Sequence, residues 1–141
     1  MAAGFRYLDH MTDAVIEARG GTMEEAFEYA AKGLCDTMVK LAAVEPKKEV
    51  VIIAEGHDYH SLLFDWLDKV MLLMVADKFA LSEFKVKIAK NGGYSIAATA
   101  RGEPLDLDKH GYKVEIKAVT YHEMEVTEDS SGATVKFLLD L

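Results

Sequence analysis

Glu83-Phe84-Lys85-Val86-Lys87-Ile88-Ala89-Lys90-Asn91-Gly92-Gly93-Tyr94-Ser95-Ile96-Ala97-Ala98-Thr99-Ala100-Arg101 is the stretch that decides the fold. Its apolar residues recur every second position. Phe84, Val86 and Ile88 alternate with Lys85 and Lys87, which is the pattern of a strand with one buried face. Asn91-Gly92-Gly93 then supplies residues that tolerate positive φ, the requirement of a tight hairpin turn. The chain returns over 94–101 with Ile96, Ala98 and Ala100 on one face. The stretch predicts an antiparallel hairpin.

Toward the N-terminus the period lengthens. Residues 15–19 suit a short strand that Gly20-Gly21 ends. Thr22 followed three residues later by Glu25 is a capping-box signature. Phe27, Ala30, Ala31, Leu34, Met38 and Leu41 then share a helical face, predicting a helix to about Lys40. Pro46 interrupts, and 50–54 reads as a β-branched strand. Asp58 or Ser61 is placed to cap a second helix, whose stripe is Leu62, Leu63, Trp66, Leu67, Val70, Leu73 and Met74. Trp66 reads as a core anchor of that helix.

Toward the C-terminus, 102–109 holds Pro104 and several charges and reads as a connection. Residues 112–127 read as one long alternating strand, and Asp129-Ser130-Ser131-Gly132 as the turn into the last strand. The predicted order is β-α-β-α followed by two hairpins. Helices concentrate in the first half and antiparallel strands in the second, which predicts an α+β fold. The expected architecture is a compact single domain over 1–141, with two helices packed against mainly antiparallel sheet.

Half of the 141 residues are hydrophobic, enough for one core. Sixteen basic residues against 24 acidic ones give a formal charge of −8. That balance disfavours strong direct binding of nucleic acid or anionic membrane, and favours a basic partner or a bound cation. Cys35 is the single cysteine, so neither an intrachain disulfide nor a Cys-based zinc site is available. The chain opens on no signal peptide, and its longest apolar run, 70–76, is far below the ~20 residues of a membrane span. A cytoplasmic location is the expectation.

Two polar clusters interrupt the apolar pattern. Thr120 and His122 continue the parity of Val114, Ile116 and Ala118 on the long strand. They could share a pocket, be buried and satisfied by neighbours, or mark the strand emerging from the core into water. His110 has the same parity, yet twelve extended residues span about 40 Å, so it reads as a loop or edge residue with a local role. The second cluster is Asp9-His10-Met11-Thr12-Asp13, which can bend backbone through side-chain hydrogen bonds or supply oxygen ligands. The chain ends Lys136-Phe137-Leu138-Leu139-Asp140-Leu141, an apolar run that predicts a packed final strand rather than a fraying tail. Packing would fix the Asp140 side chain and the α-carboxylate of Leu141. With Asp13 these form a candidate oxygen-rich site suited to calcium more than zinc. The sequence leaves their convergence open, and a strand that completes a sheet is the simpler account of the terminus taken alone. No GxSxG elbow, HExxH helix, Walker loop or dinucleotide fingerprint is present, so catalysis has no motif to rest on.

Four segments together resemble the archease family: Phe5-Arg6-Tyr7-Leu8-Asp9-His10-Met11-Thr12-Asp13, Thr22-Met23-Glu24-Glu25-Ala26-Phe27, His110-Gly111-Tyr112-Lys113-Val114-Glu115-Ile116-Lys117-Ala118-Val119-Thr120-Tyr121-His122, and Leu138-Leu139-Asp140-Leu141. The resemblance follows the same order over nearly the whole chain. It implies a compact α+β, non-catalytic activator of the tRNA-splicing RNA ligase, promoting guanylylation and multiple turnover and in some cases widening nucleotide choice. It implies a divalent cation, usually calcium, near the ligase-facing surface. It assigns metal ligation to Asp13, Asp140 and Leu141 through its terminal carboxylate. His10, Lys117, Thr120 and His122 match motif positions as supporting or partner-contact residues. Met11 stands where many members carry a smaller polar residue. The rival readings are a stand-alone metal-dependent phosphohydrolase using Asp13, His122 and Asp140, and an acidic protein-binding module.

Overall fold

The computed structural model describes residues 3–8 and 13–141. Strands β1 (Gly4–Leu8) and β2 (Asp13–Gly20) precede helix α1 (Met23–Met38), a 3-10 turn at Leu41–Ala43 and strand β3 (Lys48–Gly56). Helix α2 (Tyr59–Val75), β4 (Phe79–Lys90), β5 (Tyr94–Pro104), β6 (Ala118–Asp129) and β7 (Gly132–Asp140) follow. They form two antiparallel sheets, ordered β1-β2-β7-β6 and β3-β5-β4. The fold is the expected α+β domain with two helices.

Both helices begin where the sequence places their caps. The Thr22 hydroxyl accepts from the Glu25 N–H at 3.1 Å, while the Glu25 carboxylate reaches back to the Gly21 N–H at 2.8 Å. Asp58 and Ser61 form a reciprocal box at the start of α2, with the Ser61 N–H donating to Asp58 at 2.8 Å. Each cap occupies backbone donors that the first helical turn leaves without an intrahelical acceptor. α1 ends at Met38, two residues before the expected limit.

α1 packs against β2, β7 and β4, and α2 against β3 and β6, so each helix touches both sheets. This explains why burial nearly encircles α1. Phe27, Ala30, Ala31 and Leu34 are fully buried, and Gly33 lets Phe5 and Ile16 approach closely. Trp66 is fully buried and donates its indole N–H to the Phe27 carbonyl at 3.0 Å, tying α2 to α1. The hairpin of β4 and β5 turns at 91–93, with Gly92 at φ +72°. No described helix is long and apolar enough to cross a membrane.

Three expectations need correction. The connection expected over 102–109 begins only after Pro104, because Gly102 pairs with both Lys48 and Leu81 inside β5. β1 was absent from the predicted order, yet Phe5 pairs with Ala18 and Tyr7 with Ile16. The long strand expected over 112–127 starts only at Ala118. Before it, 105–117 crosses the end of α1: the Lys113 N–H donates to the Met38 carbonyl at 2.8 Å and its ammonium to the Asp36 carbonyl at 2.7 Å. Core parity also changes at this junction. Ile116 is buried, but at the start of β6 the buried residue is Val119, opposite Leu139, whereas Ala118 and Thr120 are half-exposed.

Candidate metal centre

The site is set by strand register. On the core face, Ala14 pairs with Leu139, Ile16 with Phe137 and Ala18 with Val135. Ile16, Phe137 and Leu139 are almost wholly buried, so a one-residue slip would turn them all to the outer face. That register places Asp13 directly opposite Asp140. Directly opposed residues of an antiparallel pair project to the same face, with Cα atoms about 4.5–5.5 Å apart.

The other flank of β7 is also held. Ala118 lies opposite Asp140, and the Lys117 N–H donates to the Asp140 carbonyl at 2.8 Å. Leu139 is buried and Leu141 packs against the core, as expected of a tied-down end. The end of β7 therefore sits between the starts of β2 and β6. Asp140 is exposed and Asp13 half-buried.

Two carboxylates facing each other across a strand pair oppose folding unless a cation lies near them. Hard oxygen donors fit calcium or magnesium better than zinc, and the carboxylate of Leu141 would extend the same donor chemistry. Among the described residues, no group of three His, Cys, Asp or Glu side chains is poised to hold a metal. The expected set thus comprises two side chains that the register brings together and one main-chain carboxylate. His10 and Met11, with the rest of 9–12, lie outside the described residues.

The connection that leaves β5 is held in place by a polar network. His110 is fully buried. Its Nδ1 accepts from the Asp106 N–H at 3.0 Å, so its proton resides on Nε2, which donates to the Glu103 carboxylate at 2.9 Å. Glu103 also accepts from the Glu45 N–H at 2.9 Å and the Lys109 ammonium at 2.9 Å. The Glu45 N–H, His110 and Lys109 together hold the Glu103 carboxyl down at about 2. This is the local role expected of His110. Its ring is committed to the connection between β5 and β6.

Thr120 and His122 do not form a shared catalytic pocket. Between Thr120 and Glu125 the β6 register shifts, so four residues on β6 oppose Phe137 alone. Glu123 sits at φ +56° within this bulge. The Thr120 hydroxyl donates to the Leu138 carbonyl at 3.3 Å and accepts from the His122 N–H at 3.2 Å. His122 projects into solvent with 74% of its side chain exposed. Tyr121 stacks in parallel on Phe64 with ring centroids 4.4 Å apart. Sequence parity missed the bulge because a left-handed Glu123 carries no distinguishing residue type. Lys117 is exposed beside the terminus. Cys35 is fully buried, and burial raises its thiol pKa, which removes it as a nucleophile.

These elements define a small two-helix, two-sheet α+β protein in which the register of the first sheet brings Asp13 opposite Asp140. The chain belongs to the Archease protein family (MTH1598/TM1083), which it matches over residues 5–141. It is 39% identical to the protein archease of Methanopyrus kandleri, covering 95% of this chain and 96% of that one. It is also 39% identical to the protein archease of Pyrococcus furiosus, covering 91% of each. The solution structure of Methanobacterium thermoautotrophicum protein 1598 superposes with a TM-score of 0.82 at 36% identity, covering 98% of this chain and 99% of that one. A Thermotoga maritima structure described as an archease and possible chaperone shares the fold, with a TM-score of 0.59 at 18% identity over 96% of each chain.

Proposed function

We propose that this chain is a non-catalytic activator of a tRNA-splicing RNA ligase, acting in tRNA processing by promoting ligase guanylylation and multiple turnover. In this reading it carries a divalent cation, calcium by preference, held by Asp13, Asp140 and the carboxylate of Leu141. The observation that carries it is the pairing of Asp13 with Asp140 at the packed end of a chain that belongs to the archease family. The cation would supply charge neutralisation between facing carboxylates and a fixed positive centre at the protein surface. The residues do the rest: β2 and β7 orient the donors, and Lys117 anchors the Asp140 main chain.

A net charge of −8 supports docking to a basic protein rim rather than to RNA itself. His122, exposed on its bulge with the Glu123 carboxylate 3.8 Å away, suits a contact role better than a hydrolytic one. The deciding experiment titrates the chain into a purified ligase and follows guanylylation and the number of ligation turnovers. Stimulation of both is expected. Unchanged guanylylation and turnover would overturn the reading.

A further inference from the structure

The two edges of the three-stranded sheet are treated differently. In an antiparallel ladder, alternate residues direct N–H and C=O toward the neighbouring strand and the others direct them outward. On β4 two outward donors are met: Val86 N–H donates to Glu28 at 2.9 Å and Ile88 N–H to Glu24 at 3.3 Å, both carboxylates reaching from α1. On β3 the Glu55 N–H points outward to Asp65 at 2.9 Å. The same alternation turns Val51 and Ile53 outward, where their N–H and C=O groups meet no partner among the described residues. Their side chains are 68% and 60% exposed. Beside them Lys69, Leu72 and Leu73 line a groove of about 320 Å³.

We propose that the free edge of β3 receives an extended segment of a partner protein as an added antiparallel strand, with basic residues flanking an apolar centre. Main-chain hydrogen bonds to Val51 and Ile53 would supply the attachment, and alternate side chains the selectivity. Glu49 and Glu55 share the face of Val51 and Ile53 and bracket them. An incoming strand centred on the pair therefore presents a basic, an apolar, an apolar and a basic residue at alternate positions. Among the described residues Glu49 is engaged only in an ion pair with Arg101 at 3.3 Å, both side chains at least half exposed, a contact that exchanges readily. Charge also argues against a second copy. The two-fold register that sets Val51 against Ile53 of the copy sets Glu49 against its Glu55, twice, and opposed like charges disfavour it.

The test uses the intact chain and two acetylated, amidated heptapeptides, Lys-Thr-Val-Thr-Ile-Thr-Lys and the same sequence with Glu at both ends. Affinity is measured by titration and the bound edge by amide hydrogen exchange. The lysine peptide is expected to bind about tenfold tighter and to slow exchange at Val51 and Ile53. Glu49→Lys combined with Glu55→Lys reverses that preference. Ile53→Pro removes an outward donor without breaking a ladder bond and abolishes binding, while its amide spectrum outside β3 reports an intact fold. Equal binding of the two peptides overturns the proposal. So does protection away from β3, or a concentration-dependent dimer that Val51→Lys dissolves.

Discussion

Replacing Asp140 by Asn is expected to change the sign of its effect on stability when calcium is added. Asp13 and Asp140 face each other across β2 and β7. Two carboxylates about 5 Å apart in a water-like dielectric repel by roughly 0.8 kcal/mol, and salt reduces this further. Without a divalent cation, D140N therefore stabilises the chain by about 0.5 kcal/mol. With free calcium a hundredfold above its dissociation constant, the wild-type chain gains about 2.7 kcal/mol by mass action. The variant, lacking one of three donors, forfeits most of that and becomes less stable than wild type by about 2 kcal/mol. Urea unfolding in chelator and in excess calcium measures both values. A D140N effect of one sign in both conditions refutes the reasoning, because the repulsion and the binding would then not share a site.

Two further outcomes follow from buried contacts. Trp66→Phe leaves the Phe27 carbonyl without its indole donor at 3.0 Å and is expected to cost about 1–3 kcal/mol in urea unfolding. The Glu103 carboxyl is held down at about 2 by the Glu45 N–H, His110 and Lys109. A carboxyl depressed in the folded state contributes stability above its unfolded value, and loses it as pH falls through the folded value. Protection factors in 105–117, taken relative to the intrinsic exchange rate at each pH, are therefore expected to fall between about pH 4.5 and pH 2, and Glu103→Gln to remove that pH dependence.

What could be read from the sequence was local. Thr22 with Glu25, Asp58 with Ser61, and Asn91-Gly92-Gly93 act within a few residues, so caps and hairpin were legible from residue type alone. The Phe5 and Tyr7 alternation carried a strand signal too, but its partner is β2 and its support comes from α1, where Tyr7 donates to Asp36 at 3.0 Å. The period-two pattern of 112–117 misled because tertiary contacts to Met38 and Asp36 hold those residues outside any sheet. The candidate donors were individually legible and the pairing of Asp13 with Asp140 was not. Asp13 reaches Asp140 only through a pairing of the two ends of the chain, whose register depends on Ile16, Phe137 and Leu139 finding the same core.

Calcium calorimetry on four chains tests the central claim most directly: the wild type, Asp13→Asn, Asp140→Asn, and a chain extended beyond Leu141 by Gly-Ser. The account predicts one saturable site in the wild type, and at least a tenfold loss of affinity in each of the other three, about 1.4 kcal/mol or more. The same calcium affinity in all four would contradict it.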